Sequence, residues 1–436
     1  MSNMHELLRR KRIDVDKRKS QHTPIIPADD RTVRWNRNEF RIIAEVKRSS
    51  LSAGPLRRNL DVVDLAQSYQ QAGAAAISVL TEEHYFHGNL QDLQAAAEAV
   101  SVPVLQKDFV LDEYQICEAK EAGADFVLLI ARFLTSEQLR SFLDLCDSIR
   151  MNAIVEVTDR ADIDKISGPA AFVGVNARDL ETLQVDKARF ERLRNYLPDT
   201  WCIAESGITD METLQRVKEL GYHGALIGEH FLRSDDAGQA CKEAVHRART
   251  PNVKICGITN ERDASLAIEA GASALGFIFA DSPRSIAVET LKDFRKKIAD
   301  RIRSVGVFRG NSPENIQTIV EQCALDIVQT YDAVRIGVPT WNAKAVSSLA
   351  EIQEISGNEN LLIDFKLADI ELAQAWNSLG SNPVFALAGG LHPQNVRQAI
   401  SICHPAWVDV ARGVERQPGV KDERKLREFV TAVKRQ

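Results

Sequence analysis

Side chains that can transfer protons recur at the ends of short apolar runs in the first half of the chain. The run RIIAEVK contains Glu45 and ends with Lys47, and VPVLQKDF carries Lys107. Later runs end with further polar residues, namely Glu156, Asn176 followed by Arg178, Glu205 and Ser206. Lysines and carboxylates that converge on one surface perturb each other's pKa values and supply a general acid and a general base. For any one residue a structural ion pair is an equally good interpretation, but the repetition favours an active site.

Small residues follow two of the later runs. Ser206 and Gly207 stand after WCIAE, and Gly228 and Glu229 stand after GALI. Small residues at such positions let backbone N–H groups approach a phosphate, helped by the N-terminus of a following short helix. Each pair alone is also typical of an ordinary turn. The two pairs together predict a phosphorylated substrate.

The second half carries a different pair of proton-transfer groups. Cys256 ends the run VKIC, and Asp364 lies near the end of LLIDF. A thiol and a carboxylate that face each other can abstract and return a proton, which is isomerase chemistry, although a lone cysteine is more often an inert apolar residue. Arg284 in DSPRSI is either a solvated loop residue or a bidentate partner for a carboxylate. A second phosphate site is predicted at Gly389, Gly390, Arg412 and Gly413.

The apolar runs alternate with longer amphipathic segments, which is the pattern of repeated βα units around a parallel sheet. The runs after residue 41 are RIIAEVK, AAAISVL, VPVLQKDF, FVLLIA, AIVEV, FVGVN, WCIAES and GALIGE. Eight βα units in about 200 residues predict a closed barrel, whose functional groups lie at the carboxyl ends of the strands. An open doubly wound sheet would carry a glycine-rich turn after its first strand, and no GxGxxG occurs in the sequence.

The same pattern restarts after Pro251. Seven runs are clear, and an eighth strand is predicted within TWNAKAVSS; the seven are VKICG, ALGFIFA, SVGVF, DIVQT, LLIDF, VFALAGG and WVDVAR. We therefore predict an α/β protein of two tandem (β/α)8 TIM barrels. The boundaries are 1–250 and 251–436, and the polar segment before residue 41 is expected to add a helix and a loop that pack on the first barrel.

Composition limits the classes of protein to consider. The chain has 436 residues, whereas a single hydrophobic core stops growing at roughly 250 to 300 residues. The net charge of −6 argues against nucleic acid as a partner. Seven scattered cysteines without a CxxC predict neither disulfides nor a zinc site and fit a reducing cytoplasm. No segment reads as a signal peptide or membrane span, so we expect a cytoplasmic monomer without membrane contact.

Several motifs of the first half resemble one enzyme family. IAEVKRSS, LQKDFVLDEYQI, VEV, VGVNARDLETL, AESGI and ALIGE occur in the order found in indole-3-glycerol phosphate synthase, and they span essentially residues 1–250. The resemblance implies that this half closes carboxyphenylamino-deoxyribulose phosphate into an indole, with loss of carbon dioxide and water. No metal or cofactor is implied.

The same resemblance implies a role for each candidate residue. Lys107 would protonate the substrate carbonyl, which we expect to require neighbours that lower its pKa, and Lys47 would hold the substrate carboxylate and assist proton transfer. Dehydration would use Glu156 and Glu45. Residues implied to position the substrate or its phosphate are Asn176, Arg178, Glu205, Ser50, Ser206, Gly207, Gly228 and Glu229.

Motifs of the second half resemble phosphoribosylanthranilate isomerase. VKICGITNERDASLAIEAGASALGFIFADSPRSI, VGVF, ALAGGLHPQNV and GVERQPGVKD cover residues 251–436. The resemblance implies an Amadori rearrangement with Cys256 as general base and Asp364 as general acid. Arg284 would bind the anthranilate carboxylate, and the phosphate would be bound by Gly389, Gly390, Arg412 and Gly413.

The sequence departs from the isomerase pattern at three places. The segment LLIDFKLADIELAQAW lacks the usual glycine-rich loop, VQTYDAV replaces VQLHGDE, and Ala411 with Arg412 replaces a serine pair. In the first half, SLSAG replaces SPSKG and removes a loop lysine. Three hypotheses stay open: a bifunctional enzyme, an active synthase with an isomerase barrel of altered specificity, and an active synthase whose second barrel only binds or stabilises.

Overall fold

Eight parallel strands close into a barrel in each half of the chain. A computed structural model describes the residues 3–27, 33, 35, 40–50, 54–55, 60–166, 172–298, 302–348, 351, 361–365 and 385–435. The chain forms two compact units, Met1–Ala248 and Arg249–Gln436. The prediction of two tandem (β/α)8 barrels is therefore confirmed.

The first unit begins with a helix outside the barrel repeat, α1 (Asn3–Gln21). The helix is tied to the barrel by ion pairs from Lys11 to Asp108 and from Arg18 to Glu118. The expected N-terminal helix is thus present and packs on this barrel. Strand β1 (Arg41–Val46) follows, and then a short hairpin of β2 (Ser49–Ser50) and β3 (Gly54–Pro55).

Strand β1 joins seven further strands in the first barrel. They are β4 (Ala76–Leu80), β5 (Val104–Lys107), β6 (Phe126–Ile130), β7 (Asn152–Val157), β8 (Phe172–Asn176), β9 (Trp201–Glu205) and β10 (Gly224–Ile227). All neighbours pair in parallel, and β1 closes the barrel by pairing with both β4 and β10. The carboxyl ends of the strands therefore form one rim.

The strands of this barrel are covered by helices, several of which begin after a capping residue just beyond the rim. They are α2 (Val62–Gln71), α3 (Leu90–Ala99), α4 (Glu113–Glu121), α5 (Ser136–Ser148), α6 (Arg160–Asp164), α7 (Arg189–Arg194), α8 (Met211–Glu219), α9 (Glu229–Arg233) and α10 (Ala237–Arg249). Asp61 caps α2, and Thr135 with Gln138 forms a capping box on α5. Such caps satisfy the first backbone N–H groups of a helix.

Alternation along the strands separates two apolar layers in this unit. Ile43 belongs to the cluster inside the barrel, while its neighbours Ile42 and Ala44 pack in the layer between strands and helices. Trp35 packs against Phe126 and other aromatic rings of the interior cluster. The barrel interior is therefore a filled core, and open space for a substrate is left only at a rim.

The second barrel has its own eight strands. They are β11 (Asn252–Cys256), β12 (Ala274–Ile278), β13 (Arg303–Phe308), β14 (Ile327–Thr330), β15 (Thr340–Val346), β16 (Leu361–Phe365), β17 (Phe385–Ala388) and β18 (Trp407–Val410). The hairpin β19 (Glu415–Gln417) and β20 (Val420–Lys421) follows. The described helices are α11 (Glu261–Ala270), α12 (Val288–Ile298), α13 (Pro313–Cys323), α14 (Val396–Cys403) and α15 (Glu423–Lys434).

The eighth strand predicted within TWNAKAVSS is confirmed as β15, which pairs with β14 and β16. Residues 331–339, between β14 and β15, contain no helix, so this connection differs from the regular βα repeat.

Among the described helices, none is both long enough and apolar enough to cross a membrane.

Candidate active sites

A cavity of about 570 Å³ opens at the carboxyl ends of the strands of the first barrel. The side chain of Ser50 is outside the described part of the chain. All other residues predicted for this half line the cavity, namely Glu45, Lys47, Lys107, Glu156, Asn176, Arg178, Glu205, Ser206, Gly207, Gly228 and Glu229. Strand ends that are far apart in sequence thus meet at one site, as a parallel barrel requires.

Lys107 lies between two carboxylates at this site. Its Nζ is 3.3 Å from Oε2 of Glu156 and 3.2 Å from Oε2 of Glu205. The side chain of Lys107 is 16% exposed, whereas each carboxylate is 1% exposed. The second oxygens of both carboxylates, Oε1, are buried without a hydrogen-bond partner among the described residues. These two oxygens can therefore still accept a proton, or a hydrogen bond from a substrate hydroxyl group.

The electrostatics of this cluster correct one expectation. Although burial acts to lower it, the pKa of Lys107 is raised by the charges of Glu205, Glu156 and Glu45. The expectation that neighbours lower the Lys107 pKa is wrong, because the neighbours are carboxylates. Burial raises the pKa of Glu205 to about 7, with Glu156 adding to the rise against the opposing charge of Lys107. Near neutral pH Lys107 is thus an ammonium and Glu205 titrates.

Lys47 and Glu45 form a second ion pair in the cavity, with Nζ 2.5 Å from Oε1. Burial opposes ionisation of Glu45, but the charges of Lys47 and Lys107 hold its pKa below the usual value. Gly228 leaves room for this carboxylate, because a Cβ there would lie 2.4 Å from Glu45 Oε1. Glu45 is therefore a fixed anion that holds Lys47 in place.

Asn176 and Arg178 organise the loop after β8. The Asn176 Oδ1 accepts a hydrogen bond from the Arg178 backbone N–H at 2.9 Å. The Arg178 guanidinium donates to the Leu183 carbonyl at 3.1 Å and to Glu229 at 3.4 Å. Arg178 thus links this loop to the start of α9.

The Ser206 and Gly207 pair adopts two consecutive left-handed conformations, with φ of 61° and 70°. Backbone N–H groups in such a turn point into a concave surface that suits an anion. A Cβ at Gly207 would lie 2.7 Å from the Val185 side chain. The geometry at this corner of the cavity is compatible with a phosphate group.

Two parts of this site are not among the residues predicted from the sequence. Apolar side chains line the cavity beside the charged cluster; they include Leu80, Phe86, Phe109, Ile130, Leu180, Leu183 and Leu226. Leu80 and Ile130 are the last residues of β4 and β6, which is a signal that was available. The second part is Asp108, which lines the cavity and accepts hydrogen bonds from Lys11 and Thr81, both at 2.6 Å. Lys11 is distant in sequence, so no spacing could have predicted that contact.

In the second barrel, Cys256 ends β11 and Asp364 lies in β16, so both belong to the same rim. Cys256 is 6% exposed. Burial raises the pKa of Asp364, and the charge of Asp409 adds to the rise, against the attraction of Arg412. A carboxyl group with a raised pKa retains its proton to higher pH and suits the role of a general acid.

Arg284 is engaged by a carboxylate that the sequence analysis did not identify. Its Nε and Nη2 donate to Glu415 at 2.9 to 3.1 Å, in a bidentate pair. Lys421 also binds Glu415, with Nζ 3.0 Å from Oε1. The remaining nitrogen of Arg284, Nη1, donates to none of the described residues. The pair thus fixes the guanidinium and leaves Nη1 for a further acceptor.

The glycines predicted for the second phosphate site approach backbone closely. A Cβ at Gly389 would lie 1.7 Å from the Phe365 carbonyl oxygen, and one at Gly413 would lie 1.9 Å from the Leu391 carbonyl oxygen. Gly389 and Gly390 have φ of 97° and 63°. Arg412 and Gly413 lie in the short 3₁₀ helix Arg412–Val414. The loop that departs from pattern after Asp364 falls mostly on 366–376, outside the described residues.

Two family models match this chain. The model described as "Indole-3-glycerol phosphate synthase" matches residues 4–244, and the model described as "N-(5'phosphoribosyl)anthranilate (PRA) isomerase" matches residues 253–432.

In the described part of the chain, no group of three or more His, Cys, Asp or Glu side chains is placed to hold a metal ion.

Curated relatives match one or both halves. The "Multifunctional tryptophan biosynthesis protein" of Schizosaccharomyces pombe is 32% identical over 90% of this chain, which spans 59% of the length of that protein. An "Indole-3-glycerol phosphate synthase" of Campylobacter jejuni is 41% identical over 50% of this chain and 86% of its own length. A solved phosphoribosyl anthranilate isomerase from Thermotoga maritima is 29% identical, with a TM-score of 0.37, over 42% of this chain and 98% of its own.

Proposed function

Since the chain joins a member of the indole-3-glycerol phosphate synthase family, residues 4–244, to a member of the PRA isomerase family, residues 253–432, we propose that it catalyses two successive steps of tryptophan biosynthesis. The second barrel isomerises N-(5-phosphoribosyl)anthranilate to carboxyphenylamino-deoxyribulose phosphate. The first barrel converts this product into indole-3-glycerol phosphate, carbon dioxide and water.

In the first barrel, Lys107 acts as the general acid for ring closure. Its ammonium donates a proton to the substrate ketone oxygen while the aromatic carbon that bears the carboxylate attacks the carbonyl carbon. Release of carbon dioxide then leaves the bonding electrons with the ring. The carboxylates at 3.3 and 3.2 Å from Lys107 Nζ keep the donor charged at neutral pH, and one of them accepts a proton afterwards.

The later loss of water uses the carboxylates of this cluster. Glu156 and Glu45 assist removal of the ring proton and departure of the hydroxyl group as water. Glu205 positions the substrate and, because its pKa is raised to about 7 by burial, holds a proton close to Lys107. Lys47 binds the substrate carboxylate before decarboxylation, since the ammonium lies in the cavity beside Glu45.

The remaining walls of the cavity match the two ends of the substrate. The apolar residues that line the cavity suit an aromatic ring. The phosphate is bound by the backbone of Ser206 and Gly207 and at Gly228, with Ser50, Asn176, Arg178 and Glu229 in supporting contacts. Asn176 and Arg178 support this assignment because they fix the neighbouring loop.

In the second barrel, Asp364 donates a proton to the ribose ring oxygen as the bond between that oxygen and C1 breaks and C1 forms a double bond to nitrogen. Cys256 as thiolate then removes the proton from C2, and the resulting enol becomes the ketone as C1 takes up a proton and the C2 hydroxyl group loses one. The raised pKa of Asp364, caused by burial and Asp409, supports its role as the acid. Arg284 binds the anthranilate carboxylate, and the phosphate is bound at Gly389, Gly390, Arg412 and Gly413.

The single observation that carries the proposal is the placement of Lys107 between Glu156 and Glu205 in a cavity of about 570 Å³. The test supplies each substrate separately to the purified chain. We expect phosphoribosylanthranilate to be consumed, and carboxyphenylamino-deoxyribulose phosphate to give the indole absorbance. Turnover of the first substrate no faster than in buffer would refute the isomerase half, and absence of the indole product would refute the synthase half.

We also propose that the chain acts as a monomer in the cytoplasm, on small phosphorylated substrates and without nucleic acid, membrane or cofactor. All seven cysteines are free thiols, which suits a reducing compartment, and each proposed site is built from residues of one barrel. Sedimentation of the purified chain should give the mass of one chain, 48.5 kDa; twice that mass would refute the monomer.

A further inference from the structure

Lys254 is a lysine at the centre of the second barrel that the proposed reaction does not yet use. It lies two residues before Cys256 on β11, so both side chains point to the same face of the strand. Its side chain is 0% exposed. Because burial of an ammonium is costly unless the charge is paired and hydrogen-bonded, such a residue calls for a reason beyond packing.

The ammonium of Lys254 is held by two side chains from other strands. Its Nζ donates to Asp409 Oδ2 at 2.8 Å and to Gln329 Oε1 at 2.8 Å. Asp409 lies beside Lys254 on the adjacent strand β18, whereas Gln329 lies three strands away on β14, so the contact with Gln329 reaches across the barrel interior. The position of the charge is thus fixed on two sides.

Gly276 on the neighbouring strand β12 lets Lys254 and Cys256 pack against each other. A Cβ at Gly276 would lie 2.8 Å from Cys256 Sγ and 2.9 Å from Lys254 Cε. Both atoms therefore converge on the space above this glycine. A side chain at position 276 would force the thiol or the lysine away from its place.

Among the described residues, the ionisable groups that act on the Cys256 thiol include Lys254 on the same strand, Asp409 on β18, Lys421 on β20 and Tyr331 after β14. Burial raises the pKa of Cys256, and Lys254 is the strongest of the groups that oppose this rise. Asp409 acts in the opposite direction. Lys421 contacts the main chain, with Nζ 2.6 Å from the Cys256 carbonyl oxygen.

We propose that Lys254 is a positioning residue of the second site, whose buried ammonium, fixed by Asp409 and Gln329, orients the Cys256 side chain and stabilises its thiolate. The inference rests on the proposed function in that Cys256 is the base of the isomerase reaction. Lys254 itself touches no substrate, because it lies beneath the rim and is fully buried.

The test measures the charge state of the thiol directly, in the full chain. Iodoacetamide modification of the Cys256 peptide is followed by mass spectrometry as a function of pH, in the parent chain and in Lys254→Met. We expect the midpoint of the reactivity profile to rise by about one to three pH units in the variant, because a nearby cation is removed. Alkylation reports the thiolate whether or not the isomerase reaction occurs, so failure of this inference and failure of the proposed function are distinguishable.

A further variant guards against a loss of folding. Lys254→Gln keeps a hydrogen-bond donor for Asp409 while it removes the charge, and its profile should also shift upward. Lys218→Met, which removes a lysine of the first barrel that is also almost fully buried, is the matched control and should leave the Cys256 profile unchanged.

A second readout separates positioning from support of the fold. The ascending limb of kcat/KM for the isomerase step should move to higher pH in Lys254→Met and Lys254→Gln. A merely structural role would lower kcat/KM equally at every pH. Folded Lys254 variants with an unshifted alkylation profile would overturn the inference.

Discussion

The two barrels place their lysines at different depths. In the first barrel the Lys107 side chain lines the cavity and is 16% exposed, with Nζ 3.3 and 3.2 Å from Glu156 and Glu205. In the second barrel the Cys256 thiol lies at the rim, and the Lys254 ammonium lies beneath it at 0% exposure. In the proposed reactions, the rim of one barrel therefore presents a cation to the substrate, and the rim of the other presents a basic sulfur.

The difference follows from the proposed reactions. Ring closure needs positive charge delivered to a carbonyl oxygen, so the cation must reach the substrate. Isomerisation needs a base that removes a proton from carbon. A cation assists this step when it stabilises the thiolate form of Cys256. A lysine at the rim can donate a proton to the substrate. A lysine one layer below the rim can only act on a neighbouring catalytic group.

The largest effect is expected from Lys107→Met, which keeps the length of the side chain and removes the proton donor. Indole formation should fall by roughly 10³- to 10⁴-fold, while isomerase turnover persists. Separate assays with the two substrates measure both rates. Equal survival of the two activities would contradict the assignment of Lys107.

Cys256→Ala is the complementary change in the second barrel. Isomerase turnover should fall by roughly 10²- to 10³-fold because the base is lost, and indole formation from carboxyphenylamino-deoxyribulose phosphate should stay at the parental rate. Steady-state kinetics with phosphoribosylanthranilate measure the loss. If both steps survive, Cys256 does not act as the base.

Replacement of a glycine by alanine should destabilise the two barrels by different amounts at their proposed phosphate sites. At Gly389 the new Cβ would meet the Phe365 backbone oxygen at 1.7 Å, while at Gly207 it would meet Cγ1 of the Val185 side chain at 2.7 Å. Both positions have positive φ. Gly389→Ala should lower the free energy of unfolding of its barrel by on the order of 3 kcal/mol, and Gly207→Ala by about 1 kcal/mol.

Urea unfolding, followed through the isomerase and the synthase activity separately, measures the two losses. Equal losses at the two glycines would contradict the structural distinction between a backbone clash and a side-chain contact.

The smallest effect concerns the pH dependence of stability in the first barrel. Because burial raises the pKa of Glu205 from 4.5 to about 7, the folded state retains a proton that the unfolded state has lost in this interval. The parent chain should therefore lose stability between pH 4.5 and 7 relative to Glu205→Gln, by on the order of 1 to 3 kcal/mol. Urea midpoints at several pH values measure the difference; a constant difference would show that Glu205 does not titrate there.

Periodicity predicted the strands well because each lies between two apolar layers. Even β15, whose sequence TWNAKAV mixes apolar and polar residues, was identified, since the regular spacing of the other seven strands required an eighth. The connection through residues 331–339 was harder to predict from the sequence, because it contains no helix and therefore has no periodic pattern.

Residue types at strand ends predicted which side chains share a site, but not how they interact. The sign of the Lys107 pKa shift depends on Glu156 and Glu205 being within hydrogen-bond reach, and sequence does not give distances. The pair of Arg284 with Glu415 joins residues that lie far apart along the chain. Such contacts follow from closure of the barrel rather than from local spacing.

We expect each barrel to catalyse one of the two reactions at its own separate site. Mixing purified Lys107→Met with purified Cys256→Ala tests it most directly, because each variant retains one proposed site. Supplied with phosphoribosylanthranilate, the mixture should form indole-3-glycerol phosphate after a lag in which the intermediate accumulates, while each variant alone forms almost none. A mixture that forms no more product than the separate variants would contradict the account.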